Sequence, residues 1–339
     1  MTRDKSGRLS VPAIIILLLL PVVTSVAVFG IGRMNISLSQ IIDAAVLLFT
    51  GEGEVPLTVQ MTLWNVRLPR ILLALLTGAG LSVSGCAFQS LFANPLATPD
   101  TLGVASGASF GAALGILLGF SLVGIQVTSF LFGAIAVLLT WVSGSGRGRG
   151  LSSVVLAGIM IGSLFSALVS LVKFTADSET QLPAITYWLM GSLDGTGYEN
   201  LLYGAPPILI GIGILFLIRW RMNLLPLTED EIRSSGVNIT ALRGVTVICA
   251  TMVTASSVSM CGQVGWVGLL VPHICRMLFG SNHLALIPAS VSIGAAFMVI
   301  VDTVARSASA AEIPISILTA IIGAPFFIIL MRKSGGWRL

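Results

Sequence analysis

Long apolar runs separated by short polar interruptions repeat along this chain, and the pattern predicts a bundle of bilayer-crossing helices. A run of about 18 or more apolar residues is long enough to cross the hydrocarbon core. About ten runs approach or exceed that length, at 11–32, 64–88, 99–119, 121–142, 151–175, 200–220, 241–261, 266–280, 284–306 and 313–332. One stretch departs from uniform helix: between Cys261 and Arg276, Gly262, Gly265, Gly268 and Pro272 interrupt an otherwise apolar run. Broken backbone at membrane depth is tolerated only when packed inside protein or lining a cavity. A simple anchor needs no such break, so the pattern points to a chain that conducts something.

Composition agrees: 55% of residues are apolar and 9% charged, against about a quarter charged in soluble domains. The +4 charge bears on topology, not on nucleic acid, because the basic residues do not cluster on a soluble face. With the N-terminus inside, Arg147, Arg149, Arg219, Arg221, Arg233, Arg243, Arg332, Lys333 and Arg338 fall on the cytoplasmic side, and Glu52, Glu54, Asp177, Glu179 and Glu199 on the other. This is the basic-residue asymmetry of cytoplasmic loops, and it places both termini inside. Arg3, Lys5 and Arg8 precede a first helix read as retained, since no convincing cleavage site follows. Cys86, Cys249, Cys261 and Cys275 lie in apolar segments without a Cys-x-x-Cys pair and read as small buried hydrophobes. Residues 1–339 form a single transmembrane domain.

Three local patterns carry chemistry. Gly103, Gly107, Gly111, Gly115 and Gly119 recur every fourth residue, a spacing that lets helix backbones approach closely. In the loop 222–243, Thr228 and Glu231 fit a capping box, Glu229 and Asp230 add negative charge to the first turn, Gly236 signals a stop, and Asn238 or Thr240 could cap a second helix. Two short helices are expected there, serving as a solvated connector or as a knob that docks on a cytoplasmic partner. Arg67 and Arg70 flank Pro69 at the expected outer entrance of the second span, and Asp302 precedes Arg306 by four residues, the favourable order for a helical pair. These arginines resist the inside bias of positive charge; lipid phosphates or carboxylates of an external protein would explain them.

The lysines are Lys5, Lys173 and Lys333, and none belongs to a Gly-x-x-x-x-Gly-Lys phosphate loop. Any ATP must therefore be hydrolysed by another chain. Nearly all acids can be placed at span ends or in loops, which counts against a proton or sodium carrier; an ion-coupled secondary transporter, or a channel, acting alone is the alternative of a different class. No nucleophile–base constellation supports an enzyme.

Arg67-Leu-Pro-Arg70, Gly85 through Asn94-Pro-Leu-Ala97, Leu102-Gly-Val104, Leu156-Ala-Gly158, Tyr187-Trp-Leu-Met-Gly-Ser192, Gly265 through His273, Asp302 through Arg306, Glu312-Ile-Pro314 and Gly323-Ala-Pro-Phe326 occur in order. Together they resemble the FecCD-type permeases of bacterial and archaeal ABC importers for ferric siderophores, haem and cobalamin. The resemblance spans about Val11 to Lys333. It implies an all-α polytopic fold of the type II importer permease architecture, with about ten transmembrane helices per subunit. It also implies a homodimer in the cytoplasmic membrane, two ATPase subunits that hold ATP and magnesium, an external substrate-binding protein, and no cofactor in this chain.

By motif, Arg67, Arg70 and Arg306 correspond to positions that meet glutamates of the binding protein. Asn94, Leu96, Leu151 and Ser152 correspond to the cytoplasmic gate region. Residues 226–242, with Thr228, Glu229, Asp230, Glu231 and Gly236, correspond to coupling helices that fit the ATPase. Gln263 and Trp266 depart from the family's usual residues, a change expected to alter packing and pore shape rather than transport. The cargo is expected to be a metal chelate, with a small oxyanion such as molybdate as the alternative.

Overall fold

A computed structural model describes residues 9–144, 146, 150–309 and 311–333, and among these the regular structure is helical. In chain order the helices are α1 (Val11–Phe29), α2 (Leu38–Thr50), α3 (Leu57–Met61), α4 (Leu68–Leu91), α5 (Val104–Leu117), α6 (Leu122–Gly144), α7 (Leu151–Thr175), α8 (Gln181–Leu189), α9 (Tyr198–Ile218), α10 (Glu229–Ser234), α11 (Ile239–Cys261), α12 (Val267–Phe279), α13 (His283–Ser307) and α14 (Ile315–Lys333). Each of the ten expected spans contains one of these. Arg3, Lys5, Arg8, Arg147, Arg149 and Arg338 lie outside the described residues.

Two features were not expected from the apolar pattern. The apolar helix α2 falls between the first two expected spans; it is opened by Ser37, which exchanges hydrogen bonds with Gln40 at 3.0 and 3.3 Å, and closed by left-handed Gly51. The second span also begins earlier than residue 64, because α3 continues through a π-helical turn, Thr62–Arg67, into α4. Such turns are single-turn departures that often mark functional sites.

Burial separates centre from rim. The apolar windows of α3–α4, α11 and α13 are 83%, 72% and 67% buried, whereas α1, α6, α7 and α9 range from 17% to 28%. The first three therefore form the protein-packed centre, and the exposed Leu, Ile and Val of the others suit lipid. All four cysteines are buried and unpaired.

Small residues set the distance between helices. A Cβ at Gly107 would lie 2.5 Å from the Phe132 carbonyl oxygen, one at Gly115 would lie 2.9 Å from Thr128 Oγ1, and one at Gly111 would strike the Thr128 carbonyl. These three glycines form one ridge of α5 against α6. Gly103 does not continue it: its φ of 74° places it before the helix, against Gly162 of α7. Gly119, also left-handed, faces open space.

We expect Gly111→Ala to destabilise the protein by about 1–3 kcal/mol through overpacking. Gly213→Ala, with nothing near its Cβ position, should be neutral or slightly stabilising. Denaturant unfolding in detergent micelles checks both.

Candidate functional site

The break between α11 and α12 is confined to Gly262–Trp266; Gly268 and Pro272 lie inside α12. Broken backbone must find partners elsewhere, and the Tyr187–Ser192 motif supplies them. Ser192 N–H donates to the Cys261 carbonyl at 2.9 Å, and Gly262 packs on the Trp188 carbonyl. Ile315 N–H donates to the Gly191 carbonyl at 3.0 Å, tying the start of α14 to the same turn. Trp266 adopts φ 68°, a left-handed conformation that costs a non-glycine residue about 1–2 kcal/mol. Its indole lies over Gly323 and 6.2 Å from Phe327, fastening α12 to α14. A cavity of about 310 Å³ opens beside the break, lined in part by Thr98, Asp100, Gln263 and Trp266.

Pro272 has an effect that its position predicts. Lacking an N–H, it cannot bond the carbonyl four residues earlier, which belongs to Gly268. Gln89 Nε2 of α4 donates to that carbonyl at 3.2 Å, and Arg276 Nη1 donates to Gln89 Oε1 at 2.6 Å. One turn earlier, Gly85 packs directly on the same Gly268 carbonyl. Sequence reasoning missed Gln89 and Arg276, although the Pro272–Gly268 spacing was a usable signal.

α4 ends in a Schellman motif. Ala93 takes φ 48°, its N–H donates to the Ser90 carbonyl at 3.2 Å, and Asn94 N–H donates to the Gln89 carbonyl at 3.0 Å. Pro95 follows, where helix cannot resume. Asn94 Oδ1 then accepts from Leu96 N–H at 2.9 Å, leaving Leu96 half exposed. The 3₁₀ turn Pro99–Leu102 that follows packs on α7, with Gly158 against the Thr101 carbonyl. Asn94 and Leu96 thus share one end of the bundle with Leu151 and Ser152, which open α7.

The same end carries residues 221–238. A 3₁₀ turn, Arg221–Leu224, precedes α10, and Gly236 takes φ 73°. Glu231 Oε2 accepts from Thr228 N–H at 2.9 Å and from its hydroxyl at 2.8 Å. Those bonds, the backbone one first, hold the exposed Glu231 carboxyl below its ordinary range. A depressed carboxylate pKa stabilises the folded form above the ordinary value, and that contribution is lost as pH falls through the lowered one. The two expected short helices become one: Asn238 caps α11 itself, accepting from Ala241 N–H at 3.0 Å, so no second surface helix forms. The side chains of Glu229 and Asp230 lie outside the described residues.

At the opposite end, Arg67, Arg70 and Arg306 are brought together, but buried rather than presented outward: they are 4%, 6% and 7% exposed. Arg70 forms a fork on two carboxylates, donating Nε and Nη2 to Asp302 Oδ1 at 2.9 and 2.8 Å, and Nη1 and Nη2 to Glu312 at 2.9 and 2.8 Å. Asp302 lies 3.6 Å from Arg306 Nε, the expected four-residue pair. Arg306 also donates to the carbonyls of Ile31 (2.5 Å) and Val28 (3.2 Å), and Arg67 donates to those of Phe29 (2.6 Å) and Met34. The expectation of exposed arginines is therefore corrected. A guanidinium in apolar surroundings must be paired, and the end of α1 and the loop after it offer carbonyls as partners.

Removing one member of a buried pair leaves an uncompensated charge, at about 3–5 kcal/mol. Arg70→Gln and Asp302→Asn should each destabilise the chain by that amount, measured by unfolding in detergent, with Glu199→Gln as an exposed control.

The FecCD transport family matches residues 16–333. A molybdate import permease of Haemophilus influenzae is 44% identical over 318 residues, covering 94% of either chain. A Bacillus subtilis iron(III)-citrate import permease is 36% identical over 329 residues, 94% of each. A Halobacterium salinarum cobalamin import permease is 37% identical over 280 residues, 82% of this chain and 75% of that one. The solved inward-facing structure of an ABC transporter assigned to the metal-chelate type superimposes with a TM-score of 0.86 at 42% identity, covering 95% of this chain and 99% of that one. Matched along nearly its whole length in both sequence and helix arrangement, this chain belongs to the FecCD family and is an ABC importer permease.

Proposed function

We propose that two copies of this chain line the membrane pathway of an ATP-driven importer that carries a small tetrahedral oxyanion of the molybdate kind. The observation that carries the cargo reading is the 44% identity, over 94% of each chain, to a permease named for molybdate. The metal-chelate reading, the first expectation from the sequence, becomes the second, favoured by the chelate-type solved structure at 42% identity. ATP is bound and hydrolysed on two partner subunits, since this chain has no phosphate loop. Both termini face the cytoplasm, as does the end that carries Asn94.

In this reading, residues 226–242 dock on the ATPase, and its closure moves the bundle end where Asn94, Leu96, Leu151 and Ser152 form the gate. Two states with different affinity for ATP suffice for such a cycle. Cargo arrives from a binding protein seated on the opposite end. Arg67, Arg70 and Arg306 support that face from beneath, by holding the loop after α1 against α4 and α13.

The test is uptake into proteoliposomes holding permease, ATPase subunits and binding protein. ATP-dependent accumulation of radiolabelled molybdate but not of a ferric siderophore is expected; the reverse selects the chelate reading. Uphill accumulation by permease alone, without ATP, would overturn the importer reading altogether.

A further inference from the structure

Asn223 sits in the 3₁₀ turn just ahead of residues 226–242, between Met222 and Leu225, which are both buried. Its amide orientation is set by its partners. Nδ2 donates to the Trp220 carbonyl and to Asn282 Oδ1, each at 3.1 Å. A carbonyl can only accept, so the oxygen end faces His283. There Oδ1 lies 2.9 Å from the backbone nitrogen of His283 and 2.9 Å from its Nδ1. Nδ1 must therefore carry the proton, and Nε2 is left to accept the hydroxyl of Ser90. Ser90 and His283 are 6% and 5% exposed.

Ser90 belongs to the last turn of α4. Its carbonyl receives Ala93 N–H, and the carbonyl of the adjacent Gln89 receives Asn94 N–H at 3.0 Å. An unbroken path of hydrogen bonds and helix end thus runs from Asn223, through the first residue of α13, to the loop carrying Asn94 and Leu96.

We propose that Asn223, His283 and Ser90 form a relay that transmits movement of the 226–242 segment to the Asn94–Leu96 loop, with His283 as its joint. Each of these three side chains has its partner in the next. Displacing Asn223 without His283 would leave the imidazole N–H and the Asn223 oxygen unpaired, an unfavourable state in dry surroundings. The elements consequently move together. Coupling carried this way needs a contiguous physical network and a two-state element at its ends. The proposal supplies the network and rests on the docking and gate roles proposed above.

The permease–ATPase complex in lipid nanodiscs tests it without knowledge of the cargo. Spin labels go on Leu96→Cys or Leu227→Cys, both exposed, while the four native cysteines are buried. The distance between the labels of the two protomers is read with and without ATP. In the parent, ATP should shift both pairs.

In Ser90→Ala, which removes one oxygen, and in His283→Asn, which keeps an amide beside Asn223 but cannot reach Ser90, the Leu227 shift should persist and the Leu96 shift should vanish. Combining the two should add nothing, because both cut the same link. Full Leu96 shifts in Ser90→Ala would overturn the relay alone, even were His283→Asn not to fold. No shift at Leu227 in the parent would overturn the docking role and the relay with it.

Discussion

Unsatisfied backbone carbonyls in apolar surroundings are the constraint on which the rest of this structure depends. Helices satisfy their own carbonyls except at ends and at prolines, and a transport protein needs ends and breaks inside the bilayer. Several such carbonyls here meet a specific donor from elsewhere in the fold. Gly268, freed by Pro272, meets Gln89; Cys261, at the end of α11, meets Ser192; the last residues of α1 and the loop after it meet Arg67 and Arg306. The donors come from distant parts of the chain, so each of these breaks doubles as a tertiary tie.

That constraint explains why glycine and charge occur where hydrophobicity alone would forbid them. Gln89 can reach the Gly268 carbonyl only if α4 and α12 approach to backbone contact, which Gly85 permits. Arg67 and Arg306 both pack on Gly32, where a Cβ would lie 3.0 and 2.6 Å from their guanidinium nitrogens. Two like charges there are tolerable because carbonyl dipoles and Asp302 surround them, and because Arg70 brings Glu312 to the same cluster. The cluster is thus a helix terminus completed in side chains.

Much of this was legible in the sequence. Run length located a helix in each of the ten expected spans, seven of them, among the described residues, long and apolar enough to cross a bilayer, and the ordered motifs identified the family, because apolar length is a direct physical requirement of the bilayer. The π turn and α2 were not, since short apolar runs do not distinguish a helix that crosses from one that lies alongside. The arginines do share one end of the bundle, away from Asn94, but they turn inward rather than outward. Position along a span says nothing about which neighbours supply carbonyls, and Met34, Asp302 and Glu312 become neighbours only on folding. The roles of Asn223 and His283 were not legible because neither belongs to a spaced motif; their significance lies in contacts between residues 60 apart.

The two ends of the bundle solve the same problem with different chemistry. Around Arg70 the ties are ionic and forked, and they converge on carboxylates that fix geometry closely. Around Asn94 they are mostly neutral, made by amides, an imidazole and a hydroxyl, with one charge, the Arg276 guanidinium, bonded to an amide oxygen. Neutral bonds are individually weaker and exchange partners at lower cost than buried ion pairs, which are strongly destabilising to separate. A rigid end and an adjustable end are therefore written into the choice of residues. The gate role proposed for the Asn94 end suits the second kind, and it is that end which holds the break-bearing motifs Asn94-Pro95 and Gly268–Pro272 in contact through Gln89.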